Sequence, residues 1–205
     1  LKLDSYFLEP NTEATIQLFN GTFGQSENVI TRNRMIDVSL VGNGKRMRQD
    51  TTQWSELDNT TLLSFTTGAP GTWVAGVSTL PRDFAMDAAA FNEYLEHDAV
   101  LDVLKWRKDN DALDQDAVER YSKHVKTIFQ VGDKKTDDWQ TEFGYPIEFI
   151  PTVNPYYLRP GDDFRVRLLF NGKPLKGQLV TIDVARAGHE NEHGHEHAAA
   201  GGHSH

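Results

Sequence analysis

From Leu1 to about Leu80 the apolar residues fall in short alternating runs, each cut by a turn residue before it reaches the length of a helix face. A chain patterned this way is led to antiparallel strands. The predicted strands are Tyr6-Phe7-Leu8, Thr15-Ile16-Gln17-Leu18-Phe19, Met35 to Val41, Thr61-Leu62-Leu63-Ser64-Phe65 and Thr72 to Val77. Asn20-Gly21, Gly42-Asn43-Gly44 and Gly68-Ala69-Pro70-Gly71 separate them, supplying the positive or fixed φ of tight connections. Trp73 follows such a turn into a strand and is expected to point inward. Trp54 and Trp73 both read as core, because large aromatics are mostly buried.

The pattern changes at Pro81. Asp87 is placed to cap a helix over Ala88–His97, and Val100, Leu101, Val103 and Leu104 carry an apolar face on towards Trp106. Asp114 to Ile128 repeats the helical period through Val118, Tyr121, Val125 and Ile128 or Phe129, so two helices are expected as an insertion at about 81–128. Phe129-Gln130-Val131 then reads as a strand and Gly132 to Asp138 as an exposed loop. Strands return at Ile147 to Pro151, Phe164 to Phe170 and Gln178 to Val184, with Arg159-Pro160-Gly161-Asp162 and Asn171-Gly172-Lys173-Pro174 as turns. The expected division is a β-sandwich over 1–144, the start of a second β domain over 145–187, and a distinct segment over 188–205. Three strands fall short of the about seven of a small sandwich, which predicts further strands beyond this sequence.

The 205 residues are 38% apolar and 10% aromatic, enough for a sizeable core. A formal charge of −9 with no Lys/Arg run argues against nucleic acid or anionic membrane as a partner. No cysteine is present, so there is neither a disulfide framework nor a thiolate metal site. No stretch approaches the roughly 18 apolar residues of a membrane span, and Leu1-Lys2-Leu3-Asp4 is not a signal peptide. The expectation is a cytosolic chain or one whose export signal has been removed.

Six of the eight histidines, His189, His193, His195, His197, His203 and His205, crowd the last stretch, interleaved with Glu190, Glu192 and Glu196 and spaced by Gly and Ala. Neutral imidazole is a common ligand of Ni²⁺, Co²⁺, Zn²⁺ and Cu²⁺, and carboxylates can complete the shell. Residues 188–202 contain no large apolar side chain, so composition predicts a flexible segment that captures metal at neutral pH and releases it as the imidazoles protonate.

The rest of the chain lacks a nucleotide-binding glycine loop, a nucleophile elbow and a paired-histidine zinc helix, and no enzyme activity is expected. His97, near Glu93 and Glu96, and His124, near Tyr121 and Ser122, read as helix histidines hydrogen-bonded to their neighbours. Asp109, Asp111, Asp114 and Asp116 lack the register of a calcium loop and read as a solvated turn between helices. A non-metal reading treats the chain as an adhesion or carbohydrate-binding module in which Trp54, Trp139, Tyr156 and Tyr157 form the contact surface.

Tyr6-Phe7-Leu8-Glu9-Pro10 resembles the Phe-Trp-Leu-Glu-Pro opening of a widespread domain-of-unknown-function family of bacterial envelope proteins, often described as the periplasmic component of cobalt or nickel uptake. The similarity continues in order through Phe91-Asn92-Glu93-Tyr94-Leu95, Trp106-Arg107, Glu119 to Lys126, Phe129-Gln130-Val131-Gly132, Pro146 to Pro151, Asn154-Pro155-Tyr156, Leu158 to Asp162 and Gly172-Lys173-Pro174-Leu175. The resemblance implies a mainly β chain, an immunoglobulin-like β-sandwich with a two-helix insertion followed by a transthyretin-like or immunoglobulin-like β domain. It also implies export to the periplasm or cell envelope and a metal transporter or other envelope protein as partner. The family often carries a histidine and an acidic residue before its aromatic opening, where Leu1-Lys2-Leu3-Asp4-Ser5 stands here. His124 matches a position where the family often has histidine, which adds it to the candidate metal ligands.

Overall fold

The computed structural model describes residues 1–21 and 25–183. In chain order its elements begin with β1 (Phe7–Leu8), β2 (Glu13–Leu18), β3 (Met35–Gly42), β4 (Lys45–Arg48), β5 (Trp54–Leu57), β6 (Thr60–Thr66) and β7 (Gly71–Thr79). There follow β8 (Arg82–Met86), α1 (Ala88–His97), α2 (Leu101–Asp109), β9 (Ala117–Tyr121) and β10 (His124–Val131), then β11 (Ile147–Pro151), β12 (Val166–Phe170) and β13 (Lys173–Pro174). The protein is mainly β, as its sequence pattern predicts.

Two sheets form the sandwich. One has the order β1-β10-β7-β3-β4, antiparallel except for the short β1–β10 pair, and the other is β2-β6-β5. Alternation along each strand sends one set of side chains between them. Val38 and Leu40 of β3, Trp73, Ala75 and Val77 of β7, and Phe129 and Val131 of β10 meet Ile16 and Leu18 of β2, Leu63 and Phe65 of β6, and Trp54 of β5. Both tryptophans that read as core in the sequence are in this core.

The opposite face of the five-stranded sheet is also covered. Val41, Val74 and Ile128 pack there against Phe143 and Tyr145, which arrive from the connection leading into β11. All nine residues of β7 are consequently buried, a burial that one covered face could not produce. The β11-β12-β13 sheet is stitched to this side by hydrogen bonds. Asn154 Nδ2 donates to Thr72 Oγ1, and the Tyr156 hydroxyl donates to the carbonyls of Tyr6 and Ile128.

The first helix forms where the sequence placed it, with the Asp87 carboxylate accepting from the Ala90 N–H. The expected helix over Asp114–Ile128 does not form. Those residues make β9, paired with β8, and β10, paired with the central β7, while the second helix is α2, at Leu101–Asp109. The positions 118, 121, 125 and 128 do fit a helical period. Val125, Thr127 and Ile128 of β10 are β-branched, however, and a place beside the fully buried β7 offers them more packing than an isolated helix could.

A second correction concerns Gln178–Val184. Gln178–Asp183 form no strand and Val184 lies outside the described residues; Leu179 is 63% and Ile182 84% exposed. Apolar alternation alone does not make a strand where no neighbouring edge accepts its hydrogen bonds. The β11–β12 register also puts Ile147, Phe149, Val166 and Phe170 on one outward face, and all four are exposed. Strands β4, β5 and β8 escaped the sequence reading because they carry mostly charged, polar or exposed residues.

Trp73 lies flat over Gly42, where an added Cβ would stand 2.2 Å from a ring carbon. Gly42→Ala should therefore destabilise the fold by about 2 kcal/mol or more, the scale of core overpacking. Urea unfolding followed by tryptophan fluorescence would measure it, and an unchanged midpoint would contradict this placement of Trp73.

Candidate functional site

The register of three adjacent strands builds a polar patch on the outer face of the five-stranded sheet. Ser78 of β7 is partnered by Asp37 of β3 on one side and by His124 of β10 on the other. One step along, Ser39, Gly76 and Lys126 form a parallel row. Gly76 has to be glycine, because Phe143 Cε1 and the Tyr145 hydroxyl each lie 2.8 Å from where its Cβ would be.

The segment before β11 closes over these rows. Asp37 accepts from the Tyr145 hydroxyl at 2.7 Å, Ser39 Oγ at 2.8 Å and Arg46 Nη2 at 2.7 Å. Arg46 also donates to the Phe143 carbonyl and stands over the Phe143 ring. Burial alone would raise the Asp37 carboxyl, but the hydrogen bonds from Tyr145, Ser39 and Arg46, with the Arg46 charge, outweigh it and hold the group below its ordinary range. Tyr145 is pushed far upward by burial and by Asp37.

Glu148 is the anchor of the closing segment. Its carboxylate accepts from the backbone N–H groups of Phe143, Gly144 and Tyr145 at 2.9, 2.7 and 2.8 Å and from Lys126 Nζ at 3.1 Å. The two side chains are only 4% and 11% exposed. Burial lowers the Lys126 pKa while the hydrogen bond and charge of Glu148 oppose that shift. Asp138 does the same work nearby, accepting from Asn43 N, Gly44 N and Thr136 Oγ1.

His124 sits at the end of the Asp37–Ser78 row, half-buried, with Ser78 Oγ 2.9 Å from Nδ1 and Ser122 Oγ 2.9 Å from Nε2. A neutral imidazole donates at one nitrogen and accepts at the other, so it bridges the two hydroxyls without strain. Burial lowers its pKa, against the pull of Glu148, which favours that neutral form at neutral pH. The arrangement can pass a proton between two hydroxyls, and it offers one imidazole to a metal if a serine gives way.

The sequence-predicted residues are scattered. His124 is on a strand and keeps its expected neighbour Ser122. His97 ends α1, with Nδ1 2.8 Å from Asp98 Oδ1. His189, His193, His195, His197, His203 and His205 lie outside the described residues. Among the described residues no group of three or more His, Asp or Glu could hold a metal ion. Asp109 pairs with Lys105 and Asp116 accepts from Ala88 N, in a turn that joins α2 to β9 rather than two helices. Trp54 is in the core, the Tyr156 hydroxyl is engaged by two carbonyls, Trp139 is half-buried, and Tyr157 is exposed beneath Lys135.

Sequence reasoning missed Asp37, Lys126 and Glu148. The signal was a charge inside an apolar strand run, Met35-Ile36-Asp37-Val38 and Ile147-Glu148-Phe149-Ile150, which asks for a buried partner.

Comparison with known proteins gives one finding. Residues 1–202 match a family model described as a domain of unknown function, DUF4198. No curated protein and no solved structure matches. Among the described residues no helix is long and apolar enough to cross a membrane.

Two outcomes follow from the closed patch. Lys126→Met leaves the Glu148 charge buried without its cation and should cost about 3 kcal/mol in chemical denaturation; a loss below about 0.5 kcal/mol would show that the three backbone N–H groups suffice. Because the folded Asp37 is more acidic than the unfolded, its stabilisation is full above about pH 4 and is lost as pH falls through the lower folded value. Asp37→Asn should thus flatten the acid limb of the stability curve, and an unaltered limb would reject the assignment.

Proposed function

The chain belongs to the DUF4198 family, and on that premise we propose that it is a cell-envelope metal-binding accessory protein. It concentrates Ni²⁺, Co²⁺, Zn²⁺ or Cu²⁺ for uptake or buffering and hands the ion to a transporter or another envelope protein. The observation that carries this reading is the density of imidazole between His189 and His205, six histidines with three glutamates interleaved. Borderline metals are taken by neutral imidazole, so capture is strong near neutral pH and fades as the imidazoles protonate near pH 6. Ligands spaced along one short stretch favour plural, exchangeable binding, which suits delivery better than permanent retention. His124 adds a single imidazole on a rigid strand, at a site whose serine partners compete with a metal. No catalytic step is needed.

The alternative is a non-catalytic adhesion or carbohydrate-binding module. Of its four aromatics, Trp54 is spent on the core and Tyr156 on anchoring the outer sheet, leaving Trp139 and Tyr157 for contact.

Calorimetric titration of the metal-free chain with Ni²⁺, Zn²⁺ and Cu²⁺ at pH 7.5 and 5.5 is the test. Replacing the six histidines from His189 to His205 by Ala should abolish most stoichiometric uptake, and uptake by the intact chain should weaken at the lower pH. Unchanged uptake in the six-fold variant would move the site to His124 or His97, and no uptake at all would leave the binding-module reading.

A further inference from the structure

The sandwich opens where its two sheets end on the same side, between β4, the edge of the larger sheet, and β5, the edge of the smaller. The opening is a cavity of about 310 Å³. Its lining combines the apolar Met35, Ile36, Val38 and Trp54 with the cationic Arg32 and Arg48. A β-bulge between Met35 and Asp37 inserts Ile36 as an extra residue and turns it into the same opening.

Among the described residues neither guanidinium forms an ion pair, and each is held in place by a backbone carbonyl. Arg32 donates to the Trp54 carbonyl and Arg48 to the Ile36 carbonyl. A carbonyl fixes the side chain but carries no formal charge, and each guanidinium has further N–H donors. The one acidic group in the lining, Asp50, has its carboxylate accepting from the Thr52 N–H. In a chain of net charge −9, the opening joins positive charge to apolar surface. The larger cavity, about 510 Å³, is bordered by Asp4 and Glu13 and has the opposite sign.

We propose that the β4–β5 groove binds a small organic anion, its apolar body against Met35 and the exposed Ile36, with the buried Val38 and Trp54 beneath, and its carboxylate or sulfonate met by Arg32 and Arg48. The volume lies at the low end of small-molecule sites and suits one or two fused rings. Planar guanidinium forks match such oxyanions and stack on flat π systems. This site is separate from the histidine segment, and neither reading depends on the other.

The chain has three methionines, Met35, Met47 and Met86, which makes methyl-labelled methionine a simple reporter. Met35 lines the groove, whereas Met86 lies by a different cavity at the β8–β9 ribbon. The full chain would be titrated with naphthalene-1-sulfonate and, separately, with uncharged 1-naphthalenemethanol. The sulfonate should shift the Met35 methyl signal saturably and leave Met86 in place. Arg32→Ala and Arg48→Ala should each weaken that binding about tenfold, while Arg48→Lys, which keeps charge but loses the fork, falls between. The ligand-free methionine spectrum reports whether each variant is folded. The absence of a saturable Met35 shift, equal shifts at Met35 and Met86, or equal affinity for the alcohol would overturn the proposal.

Discussion

A carboxylate that gathers the N–H groups of a turn is the contact on which the outer half of this molecule depends. Glu148 takes three consecutive backbone donors, Phe143 to Tyr145, and the ammonium of Lys126. A buried charge of this kind is tolerable only when its lone pairs are filled. Filling them fixes the chain before β11 in one path. That path delivers the Phe143 and Tyr145 rings onto β7 and the Tyr145 hydroxyl onto Asp37. Asp138 repeats the device on the turn between β3 and β4. Two acids thus convert irregular backbone into a second cover for the sheet, without an apolar strand to supply it.

The cover also explains the state of His124. Were the outer face open, its imidazole would be solvated and would titrate as a surface group. Closed over by Tyr145 and bracketed by Ser78 and Ser122, it is held neutral, oriented and already engaged. The histidines beyond residue 188 have Glu, Gly, Ala and Ser as their neighbours in sequence.

The sequence was most legible where local chemistry and tertiary environment agree. Asp87 before three alanines announced α1, and Trp73 after a Pro-Gly turn announced a buried strand. It misled at Asp114–Ile128, where a helical period coincided with β-branched residues destined for the sheet. It was silent about β4, whose Lys45, Arg46 and Arg48 look like a solvated loop until β3 is found beside them. The polar patch was legible only in part. His124 stood out by residue type and by family resemblance, and Ser122 was legible beside it, but its other partner, Ser78, is 46 residues away. Asp37 and Glu148 looked like interruptions of apolar strands, and no local rule says which distant cation or hydroxyl will receive them.

Strand β4 has a consequence for how copies of this protein coexist. A sheet edge is a template for another sheet edge, and crowding makes such encounters frequent. The larger sheet ends on one side in β1, two residues long, and on the other in β4, three of whose four residues are cationic. Two β4 edges that approached each other would bring like charges into register, and β1 is too short to hold a neighbour. Arg48 thus has two uses, framing the groove and adding to the charge that keeps one β4 edge from another.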